Sequence, residues 1–235
     1  GTLWTEVAPL AAALAAAGAV RLEGLYTHFA TADEGDLTFT HEQLDRFGRG
    51  ASAFGASAEL CRHAANSAAL AELPAAHLDM VRSGIALWGY QASDALHTRL
   101  PLQPCLRLTA RLMQVKTVPA GSGCGYGLTH RCQRDTRLGL VGVGYGDGYP
   151  RCLSNRATVR VRGADVPIRG RVAMDQIIVE LTGAPAAEVG DQVEVVSNDP
   201  AAPHSVAALA RLAGTIPYEI TCRLAGPRVR RAFVD

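Results

Sequence analysis

The chain has 235 residues, 48% of them apolar and 19% charged, which is enough apolar matter to bury a sizeable core and too much for a disordered chain. A formal net charge of +1 excludes a global pull toward nucleic acid or an anionic membrane, and no RNP, zinc-finger or basic-helix pattern is present. No apolar run reaches the roughly 20 residues that a membrane-spanning helix needs.

The chain begins with Gly1. Residues 3–18 read as an alanine-rich amphipathic helix ended by Gly18; a signal sequence is disfavoured because no basic stretch leads it and Glu6 precedes its apolar run. "AVRLEGLYTHF" then alternates as a strand and runs into the polar loop "ATADEGD". "LTFTHEQLDRFGRGASAF" carries Phe39, Leu44, Phe47 and Phe54 near helical spacing, with Thr40 and Gln43 in a capping-box pattern. "LCRHAAN" is a short strand, Ser67 opens a helical turn, and "LDMVRSGIALWGY" is a third strand followed by a turn. This strand–helix rhythm predicts βα units over a parallel sheet, and it stops near residue 95.

"LHTRLPLQPC" is a proline-marked linker, and the pattern then changes. "LRLTARLMQVKTV", "TRLGLVGVGY", "RATVRVRG", "ADVPIRGRVA", "QIIVEL" and "DQVEVVS" are short β-type runs split by turn residues. A helix is predicted at 205–214, and "TIPYEITCRLAGPRVRRAFVD" is left as a tail. The fold class is therefore α/β plus all-β, divided at 97/98. Three βα strands cannot close a parallel barrel, which takes eight strands and roughly 250 residues.

The six cysteines are Cys61, Cys105, Cys124, Cys132, Cys152 and Cys222. None forms C-x-x-C, and Cys124 and Cys132 stand eight apart, so neither a zinc ribbon nor a redox motif is predicted, no metal is expected, and reduced thiols suit a cytoplasmic chain. "GLVGVGYGDGYPR" looks like a phosphate loop but fits neither G-x-G-x-x-G nor G-x-x-x-x-G-K-[ST], and Pro150 stands where a helix should start. It reads instead as a glycine-rich strand-to-turn in which Tyr145 and Tyr149 either line a pocket or pack as ordinary aromatics. Tyr126 lies between Gly125 and Gly127, at a loop tip. His28 and Arg82 fall near predicted strand ends, where parallel α/β folds carry their chemistry. Ser67 at a helix start and the backbone N–H groups of Gly84 and Ile85 suit a phosphate.

"LEGLYTHFATADE", "RHAANSAA", "DMVRSGIALWGY", "VKTVPAGSGCGYGLTH", "VGYGDGYPR", "GRVAMDQIIVEL" and "IPYEITCRL" follow one another in an order and at spacings that resemble the alanine racemases. That resemblance implies a pyridoxal-phosphate enzyme with an (α/β)8 TIM-type barrel followed by a β-domain. Residues 1–97 would then be the last part of the cofactor-binding barrel and 98–235 the β-domain. It implies a role for Tyr126 as the base on one face of the substrate Cα, for His28 against the cofactor ring, and for Arg82 facing the pyridine nitrogen. Ser67, Gly84, Ile85 and Tyr218 resemble the phosphate-binding set, with His63 behind it. Met174, through its backbone N–H, and Asp175 resemble the pair beside the substrate carboxylate. Tyr145, Arg151, Arg171 and Ile216 resemble the lining of the access channel.

The resemblance also implies alanine as the small-molecule substrate, a head-to-tail homodimer of the full-length protein, and no nucleic-acid or membrane partner. A racemase of another amino acid such as serine, and a non-catalytic truncated module that dimerises or binds, are the alternatives. A decarboxylase of similar architecture is disfavoured because neither C-D-x-x-D nor E-P-G-R occurs.

The family's second base is the lysine that forms a Schiff base with the cofactor, near the start of the barrel. The chain's one lysine, Lys116, does not match it: it lies in the β-domain, ten residues before Tyr126. About five of eight barrel strands, roughly 130 residues, have no counterpart here, so the sequence resembles the C-terminal part of an alanine racemase. Gly125 stands where the family commonly has serine, and Trp88 where it commonly has tyrosine.

Overall fold

A computed structural model describes residues 1–55, 60–224 and 226–233. Backbone packing divides the chain into two units, Gly1–Leu102 and Gln103–Asp235.

In the first unit, helix α1 (Val7–Ala16) precedes strand β1 (Gly24–Tyr26), helix α2 (Thr38–Ala51), strand β2 (Cys61–His63) and helix α3 (Ser67–Glu72). β1 and β2 pair in parallel, with Gly24 opposite Cys61, Leu25 opposite Arg62 and Tyr26 opposite His63. α3 starts cleanly because the Asn66 side chain accepts from the N–H groups of Ala68 and Ala69.

Two expectations fail here. The predicted third strand does not form. The Asp79 N–H reaches the Arg62 carbonyl (3.0 Å) and the Arg82 N–H reaches the Ala65 carbonyl (2.8 Å), so the segment lies along β2. The donors are three residues apart, however, where a parallel ladder repeats every two. Asp79 Oδ2, not a backbone carbonyl, takes the Arg62 N–H at 2.8 Å. Leu78, with φ of 48°, turns the chain just before this stretch, and a 3₁₀ turn over Ile85–Trp88 ends it.

The capping box is also absent. Thr40 lies inside α2, fully buried, with its hydroxyl 3.0 Å from that of Thr31. The helix start is instead served by Asp36, whose Oδ1 accepts from the Thr38 N–H at 2.9 Å. Gln43 donates to the His28 carbonyl (2.7 Å) and the Thr27 hydroxyl (3.0 Å) and accepts from the Ala30 N–H (3.1 Å), bracing the loop that follows β1.

The second unit is built on one antiparallel sheet. Its strands are β3 (Leu108–Val118), β6 (Thr136–Val141), β7 (Thr158–Val161), β8 (Ala164–Pro167), β9 (Ile177–Glu180) and β10 (Gln192–Val196), in the spatial order β8-β7-β10-β3-β6-β9. β3 is the spine: it pairs with β10 on one side and β6 on the other, and shifts register between Leu112 and Gln114. A bridge between Ile168, just past β8, and Val179 of β9 brings the two edges together, so the sheet is nearly closed. The alternating side chains Val159, Val161, Val166, Ile168, Ile177, Val179, Leu181, Val193 and Val195 fill its interior and are fully buried. Each such side chain contributes roughly 1.5–3 kcal/mol by leaving water.

A small hairpin, β4 (Gly123–Cys124) with β5 (His130–Arg131), projects beyond β3. Helix α4 (Val206–Ala213) starts at Ser205, whose hydroxyl accepts from the Ala208 N–H, and stops at Gly214, φ 71°. Helix α5 (Pro217–Arg223), where only a tail was expected, starts with proline at its first position. Among the described residues no helix is long and apolar enough to cross a membrane.

Candidate functional site

The expected site residues fall into clusters within each unit. In the first unit the organiser is Arg82. Its Nη1 donates to the His63 carbonyl (3.1 Å) and lies 2.7 Å from His63 Nδ1. Its Nη2 donates to the carbonyls of Thr27 (2.9 Å) and Ala64 (3.1 Å) and lies 3.1 Å from His28 Nδ1. A guanidinium is a donor only, so both imidazoles accept through Nδ1 and carry their proton on Nε2. Burial first, and then the charge of Arg82, hold His63 below its ordinary value of 6.5. His63 stacks on Tyr26 at 5.4 Å and 9°, and the Arg82 guanidinium lies 5.4 Å from the same tyrosine ring.

Beside this set, the buried Ser67 hydroxyl accepts from the N–H groups of Gly84 (2.9 Å) and Ala86 (3.3 Å). That bond fixes the bend into the turn that starts at Ile85. A Cβ placed on Gly84 would meet nothing within 4 Å, so the space before the turn is open. His28, His63 and Arg82 therefore form one hydrogen-bonded set, and Ser67 with Gly84 a second, just before the turn that starts at Ile85. The first is legible locally: two strands end there, and Arg82 fastens their terminal carbonyls.

In the second unit Tyr126 sits on the β4–β5 loop, with 72% of its surface exposed. Gly125 (φ 65°) and Gly127 (φ 72°) hold that loop in a conformation that side chains resist. The Arg171 guanidinium lies against the loop, since a Cβ on Gly127 would come within 3.3 Å of it. Arg151 lies in a 3₁₀ turn (Arg151–Leu153) tied to the Arg171 segment, because the Ser154 hydroxyl donates to the Arg151 carbonyl and accepts from the Val172 N–H.

Tyr145 and Met174 are neighbours. The Tyr145 N–H donates to the Ala173 carbonyl (2.9 Å), and the Gly146 N–H donates to the Met174 carbonyl (2.8 Å). Ala173 N–H closes on the Gln176 carbonyl at 3.0 Å, which leaves Met174 and Asp175 at the tip of a turn. Tyr149 is fully buried, with its phenol raised above its ordinary value by burial, so it packs as core and does not line a pocket. Ile216 and Tyr218 flank Pro217 at the start of α5.

Sequence reasoning missed two features. Arg228 bridges Asp147 (3.2 Å) and Asp175 (2.6 Å), fixing the turn that carries Met174; its only signal was a basic run in the unassigned tail. Cys124, His130 and Cys132 gather their ligand atoms within 4.8 Å of one another. Their spacing, C-x5-H-x-C, matched no familiar metal pattern. Lys116 is exposed on β3, opposite Leu138 in the ladder.

The family model "Alanine racemase, N-terminal domain" matches residues 1–92, and "Alanine racemase, C-terminal domain" matches residues 105–233. The alanine racemase of Desulfovibrio desulfuricans is 43% identical over 218 residues, covering 92% of this chain and 58% of its own length. The solved alanine racemase of Streptomyces coelicolor is 38% identical with a TM-score of 0.89, over all of this chain and 62% of that one. The Bacillus anthracis enzyme, solved with bound L-Ala-P, is 32% identical with a TM-score of 0.85, over 95% of this chain and 58% of that one. The chain thus spans somewhat under two thirds of the length of these relatives. By its two family matches and by its likeness along nearly its whole length, the chain belongs to the alanine racemase family.

Proposed function

We propose that this chain supplies part of the cofactor site and one of the two bases of a pyridoxal-phosphate-dependent alanine racemase. The observation that carries this reading is the Arg82 cluster: a donor-only cation held between two neutral imidazoles, beside the Ser67–Gly84 turn. The residues present fit the cofactor. Ser67, with the backbone N–H groups of Gly84 and Ile85, would hold its phosphate in the open space before Gly84. Arg82 and His28 would hold its ring. Arg82 does not give up its protons, so it would donate a hydrogen bond to a ring nitrogen and leave that nitrogen unprotonated. When bound, the cofactor supplies the electron sink that acidifies the substrate α-carbon, and an unprotonated ring makes that sink weaker, which limits side reactions.

The residues of this chain do the rest. Tyr126 moves the proton at one face of the substrate Cα. Met174, through its backbone N–H, and Asp175 receive the substrate carboxylate, with Asp175 aimed by Arg228. Arg171, Arg151, Tyr145 and Ile216 line the approach. The opposite face requires a lysine; Lys116, an exposed strand residue of the second unit, does not suit that role, and a lysine outside these 235 residues would have to supply it. A head-to-tail homodimer would carry Tyr126 of one subunit to the cofactor of the other.

Exchange of the α-proton in D2O, followed separately from L- and D-alanine with the full-length enzyme, tests the assignment. Tyr126→Phe should slow exchange by about 100-fold or more for one enantiomer and much less for the other. Unchanged, equal rates from both would refute the role of Tyr126.

A further inference from the structure

We propose that Cys124, His130 and Cys132 bind a thiophilic d10 cation, Zn²⁺ foremost, at the root of the loop that carries Tyr126. The inference stands on different residues from the racemase reading and does not depend on it.

The backbone puts the three side chains on one face. Cys124 pairs directly with His130 across the β4–β5 hairpin, and directly opposed residues project to the same side. Cys132 follows His130 by two positions, which returns it to that side, and its N–H is held by the Ser122 carbonyl at 2.9 Å. The two sulfurs lie 3.8 Å apart. Two thiolates about 2.3 Å from a tetrahedral zinc ion would be separated by about 3.8 Å, so the pair is already at ligand spacing. The imidazole of His130 falls within the same 4.8 Å cluster, which gives two sulfur donors and one nitrogen. A fourth position is left for water or an added donor, as in three-ligand zinc sites.

The surroundings suit a neutral centre. Leu138 is buried in one cluster with the two cysteines, and Val118 and Ile178 pack against that cluster. The nearby charges, Arg169 and Glu180, are paired with each other at 2.8 Å. Two thiolates and a divalent cation cancel, so binding would release protons and leave no net charge among these apolar side chains. Only five residues, Gly125 to Thr129, separate Cys124 from His130, so the ion would clip the loop at both ends. The competing account is that the sulfurs serve only as small apolar packing.

The full chain, purified under reducing conditions and stripped with a chelator, should take up one Co²⁺. The spectrum should show thiolate-to-cobalt charge transfer and the intense d–d bands of a tetrahedral site, and Zn²⁺ should abolish both. Cys124→Ala, Cys132→Ala and His130→Ala should each weaken binding by about 100-fold or more, while Cys105→Ala should leave it unchanged. Because a core variant can misfold, the parent protein supplies a second readout. Zn²⁺ should protect Cys124 and Cys132, but not the exposed Cys105, Cys152 and Cys222, from alkylation mapped by mass spectrometry. Alkylation of Cys124 and Cys132 at equal rates with and without Zn²⁺ would overturn the proposal, as would cobalt bands that persist in the variants.

Discussion

Replacing Arg82 by methionine removes the guanidinium while keeping a long apolar stem. Three backbone carbonyls, those of Thr27, His63 and Ala64, lose a charged donor, and all three of these contacts are partly buried. At roughly 1 kcal/mol for each donor lost, the variant should be about 3 kcal/mol less stable. For a chain of this size that corresponds to a fall in Tm of about 6–12 °C by calorimetry. A titration of the His63 ring by NMR gives an independent check. Removing the Arg82 charge should raise its value only partway toward 6.5, because burial, the larger cause, remains.

The sign of the pH dependence follows. In the parent protein the unfolded chain protonates His63 near 6.5 while the folded chain resists it. Stability therefore falls as the pH drops below 6.5 and levels off once the lower, folded value has been passed. The methionine variant should show a narrower window of the same sign. A Tm within about 2 °C of the parent would show that the carbonyls find other donors, and Arg82 would then not be a structural tie.

Other outcomes follow from the same geometry. Ser67→Ala should weaken pyridoxal-phosphate binding by the full-length enzyme about 10-fold or more, read by absorbance titration, since one hydrogen-bonding group is lost from the turn at Gly84. Gly148→Ala should cost about 3 kcal/mol or more in a urea melt, because it adds strain at positive φ to an overlap that the backbone must move to relieve. Its φ is 96°, and a Cβ there would lie 2.1 Å from the Arg223 carbonyl oxygen. Lys116→Ala should change stability by no more than about 0.5 kcal/mol and leave racemisation by the full-length enzyme intact, as expected of an exposed strand residue. A large loss of activity would reopen the case for that amine.

The sheet of the second unit was readable because several of its strands alternate, as in Thr158–Val161 and Ile177–Glu180, where every second residue is buried. The stretch after Leu78 looked equally strand-like, yet a positive φ and a side-chain acceptor from Asp79 break the ladder, and neither has a signature in hydrophobic pattern. Pro217 concealed α5, since proline reads first as a breaker, although at a helix start its missing N–H costs nothing. The Ser67 and Arg82 set could be named from motifs, but not the way Arg82 ties strand-end carbonyls together. The Cys124–His130–Cys132 cluster has no linear signature because its members meet through the cross-strand register of a hairpin and not through spacing along the chain.

The loop from Gly144 to Tyr149 separates shape from chemistry in a way that matters for redesign. Gly144 lies against the Ala173 and Met174 carbonyls, where a Cβ would come within 2.3 and 2.4 Å of the two oxygens, and Gly148 is similarly closed in by Arg223. The phenol of Tyr149 anchors the far end in the core. Tyr145, by contrast, is exposed between these fixed points. A combinatorial library that varied the whole loop would lose most of its members to misfolding at the glycines. One that varied position 145 alone would keep the mount intact and sample what stands at its tip.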